Sequence, residues 1–216
     1  PVPPAGTQSF CDLLLQDPET ACFVGAPTVF LSHAWLYKFL NLLGALEAFV
    51  ATQPDDAPEV FFWFDTFSID EHSTQQLPQV WWSTTFREAI KMIGQTVMVL
   101  SPWNAPVPLT RAWCLWEVHC SIDTGTAFHV SMGPAERRAF QAALVSDPDA
   151  VLNAFSNIDV SASQAGSEHD RIMIISTVNE KAGGMADLNY GVMREMRSWI
   201  RAEIERVAAE TANPAS

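Results

Sequence analysis

The stretch PTVFLSH, residues 27–33, decides the fold class. Val29, Phe30 and Leu31 follow one another without a polar break, and Gly25 and Pro27 mark the approach to them. A strand with one wet face alternates apolar and polar side chains, whereas an unbroken apolar run suits a strand covered on both faces. Two more runs share this character, EVFFWFD at 59–65 and QTVMVLS at 95–101, and TGTAFHVSM at 124–132 is a weaker fourth. Helical patterns lie between them. In 36–52, Phe39, Leu42, Leu43, Leu46 and Phe49 recur at helical spacing. A short helix is expected at 83–92, and another at 110–122 with Thr110 as its cap. PAERRAFQAAL (134–144) opens on a proline suited to a first turn. Buried strands alternating with helices predict an α/β fold with a parallel sheet covered on both faces.

After residue 147 the pattern turns helical. DPDAVLNAF (147–155) reads as a short helix, NIDVS (157–161) as a short edge strand, and 168–181 as another helix. Gly183–Gly184 then breaks the chain before a long terminal helix. Leu188, Val192, Met196, Ile200, Ile204 and Val207 form its apolar stripe, with Trp199 at the edge. Such a stripe reads first as packing onto the domain, with self-association as the alternative. Residues 66–82 form a long polar loop ending in Trp81–Trp82, a pair that packs beneath the loop or belongs to an association surface. The organisation expected is a lead-in with a short helix (1–26), an α/β domain (27–165), and a helical extension (166–216) packed on the same domain. The proline-rich start and polar end point to a piece of a larger multidomain protein.

Composition removes several function classes. With 48% hydrophobic and 17% charged residues, the chain can fill a core and is not a disordered segment. The net charge of −13, with only 12 Lys and Arg, argues against a nucleic-acid or anionic-membrane binder. It leaves room for a small phosphate-bearing ligand held by a few donors. Cys11, Cys22, Cys114 and Cys120 form no CxxC pair, and nothing beside His119–Cys120 completes a metal site, so no metal is expected. Reduced thiols and no signal-peptide pattern suit a cytoplasmic protein, and no apolar run is long enough to span a bilayer.

The chemistry-bearing stretch is LTRAWCLWEVHC (109–120). Glu117 lies one helical turn after Trp113 on an otherwise apolar helix. A carboxylate there faces solvent, pairs with Arg111, or meets a ligand. Trp116 reads as a core residue. His33, at a strand end, is as readily structural as ligand-binding, and Asp65 ordinarily caps or orders the loop that it begins.

Three segments together resemble a Toll/interleukin-1 receptor (TIR) domain of the plant and microbial kind: TVFLSH (28–33), TTFREAIKMIGQTVMVLSPW (84–103) and RAWCLWEV (111–118). Their order and spacing also resemble that family over roughly residues 27–135. The resemblance implies a flavodoxin-like sheet of about five parallel strands, order 2-1-3-4-5, with ligands beyond the carboxyl ends of the strands. It implies an NAD glycohydrolase or cyclase that cleaves the nicotinamide–ribose bond, with Glu117 as the catalytic carboxylate. NAD is then a substrate, and no permanently bound cofactor is expected. Nicotinamide leaves as a neutral group, and a carboxylate steadies the oxocarbenium-like sugar. Trp113 would wall the ribose or the pyridinium ring, and Ser32, His33, Trp35, Asp65 and Phe67 are the next candidate contacts. The family also implies TIR–TIR self-association that completes the site, and roles in signalling or innate immunity.

This chain departs from the family after Ser32, where His33-Ala34-Trp35 supplies no arginine for a pyrophosphate. Arg111, Arg87 or the amino end of the 110–122 helix is the substitute. The alternative function is a non-catalytic TIR scaffold recruiting partners through the 66–82 loop and the terminal helix. A receiver-like phosphoacceptor fits poorly, because Ser32–His33 and Ser101 stand where acidic residues are needed.

Overall fold

The computed structural model describes residues 8–69, 84, 86–156, 158–180 and 183–212. Most of the loop expected at 66–82, with Trp81–Trp82, lies outside the described residues. Four strands form one sheet: β1 (Val29–Ser32), β2 (Phe62–Trp63), β3 (Gln95–Val99) and β4 (Ala127–Ser131). All pairings are parallel and the order is β2-β1-β3-β4. Phe30 stands opposite Trp63 on one side and Thr96 on the other, which fixes the register at the centre of the sheet.

The strands alternate their side chains between two cores. Phe30 and Met98 face one cluster with Phe86, Ile90, Leu115 and Trp116. Val29, Leu31, Val97 and Val99 face the other, with Leu42, Leu46 and Phe49. The helices that supply these residues are α2 (Phe39–Val50), α4 (Phe86–Ile93) and α5 (Ala112–Thr124). Between α2 and α4 lies the one-turn α3 (Asp65–Ser68), and α1 (Phe10–Leu15) precedes the sheet. A capping box starts α1: Ser9 Oγ accepts from the Asp12 amide at 3.1 Å, and Asp12 Oδ2 accepts from the Ser9 amide at 2.9 Å. α5 stops where Gly125 takes φ +68°, a left-handed turn that favours glycine.

The fifth expected strand is not found among the described residues. The described part of NIDVS makes a single 3-10 turn at Val160–Ala162 instead, tied by the Asp159 side chain to the Ser161 amide. The helices after β4 take the space: α6 (Pro134–Ser146), α7 (Pro148–Ala154), α8 (Glu168–Asn179) and α9 (Gly184–Ala212). α9 packs on α5, α6 and α8. Residues of α9 and β4, with Phe49 of α2 and Arg137 of α6, line a cavity of about 330 Å³. Trp199 stacks on Phe140 of α6 with ring centres 5.0 Å apart. Leu188, Val192, Met196 and Ile200 join the same core cluster as Phe30, whereas Ile204 is exposed. The apolar stripe of α9 is therefore internal packing over its first four positions.

Two local expectations change. Only Phe62 and Trp63 of the 59–65 run enter the ladder, because the chain turns into α3 at Asp65. Thr110 does not cap α5; its hydroxyl donates to the Val107 carbonyl inside a 3-10 turn, and Arg111 occupies the cap position.

Candidate functional site

Ser32 closes β1, and its side chain falls on the same face of the sheet as Phe30, two residues earlier. α5 covers that face. Its residues Cys114, Glu117 and Ser121 lie three and four positions apart, along one side of the helix. They form a polar seam between helix and sheet. At the lower end Ser121 Oγ donates to Thr96 Oγ1 on β3 and lies 2.9 Å from it, and the Glu117 carbonyl is also 2.9 Å away. At the upper end the Cys114 thiol donates to the His33 carbonyl at 3.3 Å.

Glu117 sits between these anchors and is only 9% exposed. Its Oε2 and the Ser32 hydroxyl are both sealed from solvent, and neither makes a well-formed hydrogen bond. The two still lie near enough for the hydroxyl to favour the charged carboxylate. Burial dominates and pushes the Glu117 carboxyl well above the usual carboxylate range, and the charge of Asp65 pushes it the same way. The Cys114 thiol is also driven up, by burial first and by Glu117 second. Arg111 forms no ion pair with Glu117 among the described residues. Its backbone runs beside Gln164, whose carbonyl takes the Ala112 amide at 2.8 Å.

Above the seam the ends of β1 and β2 meet. Asp65 begins α3 and accepts from Trp35 Nε1 at 2.8 Å. The same carboxylate lies 3.8 Å from His33 Nε2. The His33 side chain is 5% exposed, and its ring meets Phe64 edge-on. Burial holds the imidazole below its usual value, partly offset by Asp65. Phe64, Phe67 and Phe39 make an aromatic shoulder beside Asp65. Nearby, the Tyr37 hydroxyl donates to the Ser101 carbonyl at 2.7 Å and accepts from the Ser101 amide at 3.0 Å.

Among the expected site residues, Ser32, His33, Asp65, Trp35 and Glu117 therefore gather at the carboxyl ends of β1 and β2, beside the point where strand order reverses between β1 and β3. Phe67 borders them. Trp113 is engaged elsewhere: it packs on Phe86, with ring centres 6.1 Å apart, and its Nε1 donates to Asp170 at 3.5 Å. Arg87 is held by Asp123 at 2.8 Å and by Glu88, so it is not an open phosphate ligand. Cys114 and Tyr37 belong to the site and were not singled out from sequence. Cys114 was legible as the residue three before Glu117 on the same helical face.

No family model, curated protein or solved structure matches the chain.

Proposed function

We propose that the chain is a TIR-type N-glycosyl hydrolase that cleaves the nicotinamide–ribose bond of NAD or a related pyridinium nucleotide. The observation that supports this reading is the Glu117 carboxyl, buried beside Ser32 with one oxygen unpartnered, at the reversal of strand order. An orphaned buried carboxyl oxygen is costly and rare, and a ligand group supplies the missing partner. In the reaction, the Glu117 carboxylate faces the anomeric carbon as the glycosidic bond lengthens and positive charge spreads over the ribose ring; neutral nicotinamide leaves with the bonding pair, and water adds to the anomeric carbon, releasing one proton. Ser32 holds the carboxylate or a ribose hydroxyl. Trp35 and His33, steadied by Asp65, bound the nicotinamide side. Concentrated protein incubated with NAD should release nicotinamide, separable by chromatography, and both Glu117→Ala and Glu117→Gln should abolish release. Turnover unchanged in both variants would refute the reading.

The second reading is a non-catalytic scaffold. It is favoured by the apolar surface around the same rim, where Phe10, Leu13, Leu36, Phe39 and Leu40 are exposed with Trp35 at 63%. Sedimentation over a concentration series beside the NAD assay separates the two. Association without turnover at any concentration supports the scaffold, and turnover lost on dilution supports an enzyme completed by assembly. In both readings the protein works in signalling or defence in a cytoplasmic setting. Among the described residues, no helix is long and apolar enough to cross a membrane.

A further inference from the structure

The groups that face Glu117 offer it hydroxyl, thiol and like charge. From the end of β1 come Ser32 and, just past it, His33, whose burial disfavours the charged imidazole. From α3 comes Asp65, a like charge whose field disfavours ionisation of Glu117. From its own helix come Cys114, and Arg111, whose charge bears on Cys114. From α4, Arg87 is tied to Asp123 at the far end of α5, and from α8, Asp170 accepts from Trp113. No Lys or Arg pairs with Glu117 among the described residues. Oε2 is nevertheless sealed and without a partner. Such surroundings favour the neutral acid over the carboxylate, because a buried charge without a counter-ion is costly.

We infer that this site exchanges a proton for its ligand: a cationic pyridinium nucleoside entering beside Glu117 expels the carboxyl proton to solvent, leaving a carboxylate against the cation. The inference rests on the glycosidase reading and deepens it by naming charge as the property the site selects. The balance is simple: protein carboxylic acid plus cation gives carboxylate–cation complex plus one released proton. Two consequences follow. Affinity for the cation falls tenfold per pH unit below the point where Glu117 titrates in the free protein, and levels off above it. The neutral dihydropyridine form of the same nucleotide gains nothing from the exchange, so it binds more weakly and without proton release.

The probe is carba-NAD, whose ribose ring oxygen is replaced by methylene, so that the cation is kept and the bond is not cleaved. Calorimetric titrations between pH 5.5 and 8.5, in buffers of different ionisation enthalpy, count the protons released. The expected result is release that approaches one proton at low pH, declines as pH rises, and is absent for Glu117→Gln and for the dihydro form. An infrared carbonyl band of a protonated carboxyl, present in the ligand-free protein and missing in Glu117→Gln, is the ligand-independent counterpart. Binding with no proton release across that range, or release that persists in Glu117→Gln, overturns the exchange and leaves the glycosidase reading standing. Failure of carba-NAD to bind, with intact folding shown by circular dichroism, overturns both.

Discussion

Removing the hydroxyl of Ser32 should stabilise the fold while abolishing the proposed activity. The Ser32 oxygen is sealed in the helix–sheet seam with no well-formed hydrogen bond. A buried polar group left unpaired costs about 1–3 kcal/mol, and Ser32→Ala removes that cost. Against it stands the small void left by one oxygen, bounded by the roughly 0.5–1.5 kcal/mol of a single buried methylene. The net is a gain of about 1 kcal/mol, or roughly 2–4 °C in Tm for a chain of this size. Ser121→Ala is the control from the same seam. Its hydroxyl makes two hydrogen bonds of 2.9 Å, and its loss strands Thr96, so it should cost about 1–3 kcal/mol. Urea denaturation followed by fluorescence of the tryptophans, at pH 7 and constant ionic strength, compares the three proteins directly. Ser32→Ala destabilised by more than about 1 kcal/mol would mean that the hydroxyl holds a strong bond in the native state. That result would remove the main physical argument for a ligand partner at this seam.

Three other outcomes are expected. The Glu117 carboxyl titrates higher folded than unfolded, so its ionisation costs stability above the ordinary carboxylate range; Glu117→Gln should therefore gain on the natural protein as pH rises and converge with it in acid, and a pH-independent difference in denaturation midpoint would contradict this. His33 is held low by burial, so stability should fall as pH drops through about 6.5, by at most about 1.4 kcal/mol per pH unit; His129, solvent-screened on β4 and also held low, should add less. His129→Asn should remove its share of that slope, and an unchanged slope would show that His129 is free to charge in the fold. A chain ending at residue 183 should lose cooperative unfolding: it gives up Leu188, Val192, Met196 and Ile200, at about 1.5–3 kcal/mol each, a sum that matches the whole stability of an ordinary domain. A sharp thermal transition in that fragment would show that the sheet and its near helices suffice.

The parallel sheet was legible because VFLS and TVMV carry apolar side chains on both faces, a pattern that one-sided strands do not show. β2 was overestimated because Glu59–Phe61 and Phe64 are as apolar-flanked as Phe62–Trp63, and only the turn into α3 at Asp65 cuts the ladder short. The edge strand expected at 157–161 failed for a different reason. A five-residue apolar–polar alternation fits a strand and a capped 3-10 turn equally well, and the Asp159–Ser161 bond decides for the turn. At the site, strand ends and the helical phase of Glu117 could be read from spacing alone. What spacing conceals is which way an aromatic leans. Trp113 shares a face with Glu117 by count, yet Phe86 and Asp170 claim it. Trp35 was a candidate ligand contact, and its indole is fastened to Asp65.

The Tyr37 hydroxyl, bonded to both the amide and the carbonyl of Ser101, has a mechanical consequence. It rivets the connector after β1 to the tip of β3, so those two lips travel as one piece. The opposite lip is held by lighter contacts, the exposed Trp35 indole on Asp65 and His33 3.8 Å from the same carboxylate. Whatever gains access to the buried acid therefore meets a door with a firm jamb on one side and a light catch on the other. Rigidity at this rim is unequal by construction, and it sets the side from which the recess can be widened at least cost.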